Sequence, residues 1–103
     1  MLKKLGWIYK YIILLLNPKI TLKGFVKIDP SVEIMLERKA RLTINKGVQI
    51  RKGSTIFVKK NLEIMQNVFI GHFCTLGFSE PGIIGKNTMI AEMVSIRDHD
   101  HKY

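Results

Sequence analysis

The chain has a single cysteine, Cys74, so it can build no internal disulfide framework, which suits a reducing compartment. Proline and glycine are sparse, at three and eight residues, and 47% of the chain is apolar, which argues against a disordered polymer. Acidic residues are few: eight Asp and Glu stand against seventeen Lys and Arg, for a formal net charge of +9. Such a surplus wants anionic company. The lysines are spread along the chain and no nucleic-acid-binding motif is present, so a nucleic-acid partner is not expected. The longest uninterrupted apolar run, Tyr11 to Leu16, is far too short to cross a bilayer. No small-residue cleavage site comes after it, as a secretory signal would require. A glycine-rich phosphate loop of the Walker or dinucleotide kind is also missing.

What is present fits one small domain, since 103 residues make a marginal conventional core but are enough for a fold that grows by stacking. Residues 1–17 read as an amphipathic helix that stops before Pro18. Projected at the helical angle, Lys3, Lys10 and Asn17 share one narrow face and nearly everything else is apolar. Two readings stand. The helix lies in a membrane interface, with Trp7, Tyr9 and Tyr11 at headgroup level and the lysines toward anionic lipid. Or it packs as a cap on the first coil of a stacked domain, or on another subunit. The shortage of polar residues tips the balance toward peripheral membrane contact.

From Leu42 onward the sequence stacks in rows of twenty. Ile44, Ile64 and Ile84 share a column; so do Ile50, Ile70 and Ile90, and Ile56, Leu76 and Ile96. Within a row the apolar leaders are six apart, with a gap of eight before the next row. Such spacing predicts three short strands per coil, each turning one large aliphatic inward. A slender second inward residue comes four places on: Val48, Ser54, Val68, Cys74, Thr88 and Val94. Gly47, Gly53, Asn67, Gly71, Gly85 and Asn87 are the expected corner residues. Coils would stack at the ordinary strand spacing of about 4.8 Å. Residues 18–27 read as a linker and residues 28–103 as the repeat domain of three to four coils. Its first coil is short, sixteen residues from Ile28 to Ile44. An antiparallel sandwich of short strands is the alternative, but it has no need of aliphatic columns at a constant period.

The eight-residue gaps fall at one corner of every coil. Their occupants are Lys59-Lys60-Asn61, then Ser79-Glu80-Pro81-Gly82, then His99-Asp100-His101. Bulges in register form one edge of the prism and hence a groove wall. Ser79 is expected beneath His99 and Glu80 beneath Asp100. Ser79 and Glu80, with His72 as a further contact, are therefore the candidate substrate-binding residues. In Asp98-His99-Asp100-His101 carboxylate and imidazole alternate. A histidine of near-neutral pKa can take a proton from a hydroxyl, and a neighbouring carboxylate fixes its tautomer. Cys74 fills a slender inward slot and reads as a core thiol. Met65, Met89 and Met93 read as packing. Lys59, Lys60 and Lys86 are solvated lysines that would also suit a phosphate-bearing ligand.

The units Ile70-Gly71-His72-Phe73-Cys74-Thr75, Ile84-Gly85-Lys86-Asn87-Thr88-Met89 and Ile90-Ala91-Glu92-Met93-Val94-Ser95 resemble those of the hexapeptide-repeat acyltransferases. Asn45, Arg51 and Met65, at second positions of other units, depart from that pattern. The likeness covers roughly residues 26–103. It implies an all-β fold, a left-handed parallel β-helix, and a homotrimer. IRDHDHKY is similar to the segment bearing the essential histidine of sugar and polysaccharide O-acetyltransferases in this family. By that resemblance the chain transfers acetyl from acetyl-CoA to a sugar, in cell-envelope polysaccharide or lipopolysaccharide synthesis. The expected location is the cytoplasm, at the inner face of the membrane. His101 is favoured as general base over His99, with Asp98 and Asp100 beside them, and no metal is expected. Enzymes of the family continue past the histidine loop with further coils and a cap, so the chain is expected to be a C-terminally truncated member. Two alternatives remain. One is a zinc-dependent hydratase like the gamma-class carbonic anhydrases, which use three histidines on this fold. Against it, His99 and His101 alternate in an extended loop and would point apart. The other is a non-catalytic, basic β-solenoid bound to membranes.

Overall fold

In the computed structural model residues 2–98 are described, with side chains from Gly6 onward. Helix α1 (Leu2–Leu15) leads into four coils of a parallel β-solenoid. The first coil holds β1 (Ile20–Lys23), β2 (Lys27–Ile28) and β3 (Glu33–Leu36). The second holds β4 (Arg41–Asn45), β5 (Gln49–Ile50) and β6 (Thr55–Val58). The third holds β7 (Asn61–Ile64), β8 (Phe69–Ile70) and β9 (Thr75–Phe78), and the fourth β10 (Gly82–Ile84), β11 (Met89–Ile90) and β12 (Ser95–Arg97). One strand per coil enters each of three four-stranded parallel sheets: β1-β4-β7-β10, β2-β5-β8-β11 and β3-β6-β9-β12.

The register explains the isoleucine columns. Ile44 pairs with Ile64 and Ile84 with Ile64, Ile50 with Ile70 and Ile90 with Ile70, Ile56 with Leu76 and Ile96 with Leu76. In a parallel ladder, paired residues face the same way, so each column becomes a continuous apolar stack. Ile44, Ile56, Ile64, Ile70 and Leu76 are fully buried. Burying each such side chain is worth about 1.5–3 kcal/mol before entropy is charged against it.

The beginning of the repeat differs from the sequence expectation. Ile28 does not open a sixteen-residue coil; it pairs with Ile50, and Leu22 pairs with Ile44, both twenty-two residues on. Leu22, Ile28 and Ile34 are thus the leaders of a complete first coil. β1 and the start of β2 occupy the stretch expected to be a linker. The two additional residues all fall at one corner: Glu37–Ala40 span what Lys59–Lys60 span one coil later.

Corners between the first and second sheets, and between the second and third, carry left-handed backbone. Gly47, Asn67 and Asn87 (φ 82°, 59° and 65°) stack at one, and Gly53, Phe73 and Met93 (79°, 55° and 58°) at the other. Gly71 and Gly85, expected at corners, do not have positive φ. Gly71 is small for another reason: a Cβ there would come within 2.9 Å of the Glu92 amide nitrogen and 3.0 Å of the Ala91 carbonyl carbon. Buried polar side chains tie the coils together. Ser54 Oγ donates to Gly71 O (2.7 Å) and accepts from Cys74 N (3.0 Å). Asn45, a departure from the hexapeptide pattern, donates from Nδ2 to Ile64 O (2.9 Å) and Glu63 Oε2 (3.1 Å). Cys74 is fully buried, its thiol donating to Ala91 O.

α1 stops where Asn17 takes over: its Oδ1 accepts from Lys19 N (2.9 Å) and its carbonyl from Ile20 N (3.1 Å), turning the chain around Pro18 into β1. The helix lies on the first coil. Leu14 is buried in the common core, Lys10 Nζ donates to Val32 O (2.8 Å), Lys27 Nζ sits 3.8 Å from the Trp7 ring centroid, and Tyr11 packs at 5.1 Å from Phe25. Trp7, Lys10 and Tyr11 therefore face the solenoid, while Tyr9 is exposed. Burial holds the Lys10 ammonium below its ordinary pKa, against the pull of Asp29 and Glu33.

Candidate functional site

The third corner joins the β3-β6-β9-β12 sheet back to the β1-β4-β7-β10 sheet. It is the corner at which successive inward leaders stand eight residues apart instead of six, Ile56 to Ile64 and Leu76 to Ile84, and it is organised by side chains. β6 ends at Val58 and β7 starts at Asn61; β9 ends at Phe78 and β10 starts at Gly82. Val58, Leu62 and Phe78 stay inward while Lys59, Lys60 and Glu80 stand outside in successive coils. Lys60 Nζ meets Glu80 Oε1 at 3.1 Å, one coil above it; both are more than half exposed, so the pair contributes little beyond alignment.

Asp98 organises the bulge above. In the coil below, Lys59 N makes an ordinary ladder bond to Phe78 O (2.9 Å). One coil later the Asp98 side chain accepts instead: Oδ1 from Ser79 N (2.7 Å) and Oδ2 from Glu80 N (2.8 Å). A carboxylate gripping two consecutive amides is a charge-assisted pair of bonds, stronger than the neutral ladder bonds it replaces. Asp98 N reaches Gly77 O at 3.3 Å, closing the same turn from the other side. Of the four residues in Asp98-His99-Asp100-His101, Asp98 is thus a backbone anchor. His99, Asp100 and His101 lie outside the described residues, and with them the expected stacking on Ser79 and Glu80.

Two hollows flank this corner. On the β12 side, one of about 370 Å³ is lined by Phe57, Lys59, Gly77, Ser79 and Arg97, among others. It exists because Gly77 interrupts the outward column Met35–Phe57–Gly77–Arg97; a Cβ on Gly77 would meet only Arg97 Cγ, at 3.8 Å. On the β10 side, a shallower hollow of about 670 Å³ is lined by Arg41, Asn61, Glu63 and Ile83, with Pro81 at its edge. An aromatic wall, a guanidinium and a serine on one flank, and amide and carboxylate groups on the other, suit a polar organic ligand lying along the edge.

Ser79 and Glu80 are therefore brought together at this edge, and His72 is not. His72 stands at the corner between the second and third sheets, where Nδ1 lies 3.7 Å from Glu92 Oε1 of the next coil. It lines a separate groove of about 440 Å³ with Trp7, Lys27, Asp29, Arg51 and Lys52. This basic groove was not legible in the sequence, since it forms where α1 crosses the first coil. At its mouth Asp29 Oδ1 accepts from Ser31 Oγ (2.6 Å) and Ser31 N (2.9 Å). Burial works to raise the Asp29 pKa, but the Ser31 bonds, aided by Lys52 and Arg51, hold it below the usual carboxylate value. The zinc alternative needs His99 and His101, outside the described residues, and a third histidine that here faces a different edge.

No helix among the described residues is long and apolar enough to cross a membrane. Comparison with family models, with curated proteins and with solved structures returns no match to this chain.

Proposed function

We propose that the chain is an O-acetyltransferase, moving acetyl from acetyl-CoA to a sugar hydroxyl on a cell-envelope polysaccharide or lipopolysaccharide precursor. In this reading His101, or His99 beside it, takes the proton from the acceptor hydroxyl. The freed oxygen attacks the thioester carbonyl, the carbon–sulfur bond breaks, and the imidazolium returns the proton to the departing thiolate, leaving an acetyl ester and a free thiol. The observation that carries the reading is the Asp98 grip on the Ser79 and Glu80 amides. It supports the reading because it holds Asp98, the residue before His99 in the sequence, against Ser79 at the edge of the hollow lined by Ser79 and Arg97. A left-handed coil and a homotrimer belong to the same proposal and rest on the hexapeptide resemblance.

Thiol release from acetyl-CoA in the presence of sugar acceptors, followed with a chromogenic disulfide, tests it. His101→Ala should lower the acceptor-dependent rate by about a hundredfold or more, the usual worth of a general base. Equal rates in the parent, His101→Ala and His99→Ala would sink the proposal. The non-catalytic solenoid is the reading left if no acyl donor is turned over.

A further inference from the structure

α1 is built inside out. Its polar contact, Lys10, points into the protein, while Ile8, Tyr9, Ile12, Ile13 and Leu16 are between 44% and 78% exposed. Those positions recur at three- and four-residue intervals, so they form one apolar strip along the helix, with exposed Phe25 of the first coil near its inner edge. A strip of this kind on the outside of a folded domain marks a surface that meets something.

The charge of the chain is segregated along the solenoid in the same direction. Residues 1–61 contain fourteen Lys and Arg and three Asp and Glu; residues 62–103 contain three and five. The second coil has no acidic residue, and each of its corners is basic and exposed: Lys46 at the first, Lys52 at the second, Lys59 and Lys60 at the third. Arg38 and Lys39 add to the third corner in the first coil. The third coil has no Lys or Arg at all. The end of the prism closed by α1 is therefore both apolar on its face and basic around its girth.

We infer that this end docks on an anionic lipid bilayer, α1 lying in the interface with its outer strip toward the acyl chains and the basic girdle facing the headgroups. An apolar helix face with lysines around it is what an acidic bilayer surface binds, each basic group near that surface adding to the attraction. A second copy of the chain would bring two girdles of like charge together around the same apolar contact, which opposes pairing. A polyanion alone would use the girdle and leave the strip bare. The orientation differs from one in which Trp7 and Tyr11 anchor the helix, since both are committed to the first coil. It stands independently of acetyl transfer.

Co-sedimentation of the full chain with vesicles is the test. Binding should be roughly tenfold or more tighter to phosphatidylcholine mixed with phosphatidylglycerol than to phosphatidylcholine alone, and should weaken as salt screens the girdle. Ile12→Asp with Ile13→Asp should abolish binding while the chain stays folded, with only a modest fall in melting temperature, both side chains being about half exposed. Lys46→Gln with Lys59→Gln should weaken binding and flatten its salt dependence. The inference is overturned by equal binding to both vesicle types, or by retained binding in the Ile12→Asp/Ile13→Asp protein. It is likewise overturned if the parent binds no vesicles, whether it forms a dimer that those substitutions split or binds only heparin.

Discussion

The narrow and wide corners of this prism are held by opposite means. At the narrow corners of the second to fourth coils the backbone adopts left-handed geometry whichever residue stands there: Gly53, Phe73 and Met93 share one conformation. At the wide corner, length varies from Glu37–Ala40 in the first coil to Lys59–Lys60 in the second, and none of those residues has positive φ. Alignment comes instead from the Lys60–Glu80 pair and the Asp98 carboxylate. Where the backbone sets the geometry, the residue can differ from coil to coil while the shape stays fixed and each residue is fitted to the one stacked on it. Where side chains set it, shape is free, and a solenoid can carry a loop of its own there.

The sharpest way to break the comparison is to spoil a narrow corner. Gly53 has φ +79°, and a Cβ added to it would collide with the Phe73 ring of the coil above. Gly53→Val combines left-handed strain in a β-branched residue with that collision, at a cost of about 3 kcal/mol. In a domain of this size that corresponds to a fall in melting temperature of roughly 10 °C or more. An unchanged melting temperature would show that these corners are not set by the backbone.

A smaller effect, through pH, tests the first coil, where the narrow corner at Ser31 has no left-handed residue and side chains hold it instead. The corner below Gly53 is stitched by Asp29, which holds Ser31, whose Oγ in turn accepts from Gly53 N (2.9 Å). Because the folded Asp29 pKa is depressed, its contribution to stability is present above the unfolded pKa of a carboxylate. It is lost as pH falls through the lower, folded value. Asp29→Asn should therefore lower stability in urea unfolding near neutral pH and make no difference in strong acid, where the parent is protonated too. A gap that stayed constant from neutral to acid would remove the charge from the account.

These contrasts also show what could be read in advance. The columns from Ile44 onward were legible because a parallel ladder at a constant twenty residues copies its aliphatic leaders upward. The first coil escaped because its register is twenty-two, so Leu22 and Ile28 fell out of column and LKGFVK looked like a linker. Gly47, Gly53, Asn67 and Asn87 were readable as corners from their tolerance of positive φ. Phe73 and Met93 were not, since no local preference puts them there. Gly71 looked like a corner residue, but the approach of the Ala91 backbone that keeps it small is a property of stacking. The wide edge with Ser79 and Glu80 was foreseen from the gaps. That Asp98 serves the amides beneath it was not, because a carboxylate next to a histidine reads as chemistry. The inward Lys10 depended on the Val32 carbonyl, which only the packed first coil presents.

The smallest effect tests the wide corner most directly. Inserting Gly-Ser between Lys59 and Lys60 gives the second coil the corner length that the first already has at Glu37–Ala40. The inserted residues enter an exposed bend, and lengthening a loop by two costs well under about 1 kcal/mol in closure entropy. β6 and β7 keep their inward residues, Val58 and Leu62, because the added pair lies outside both strands. The one bond put at risk is Arg41 N to Lys60 O (2.8 Å), together with the Lys60–Glu80 alignment, both at the surface. Urea midpoints should therefore shift only slightly. The same Gly-Ser placed after Gly53 interrupts a turn whose left-handed conformation stacks on Phe73. It would separate Ser54, bonded to Gly71 O and Cys74 N, from the turn that positions it, so the loss of stability should be much larger. If both insertions cost the same, the two kinds of corner are one kind, and the wide edge has no special freedom to carry a site.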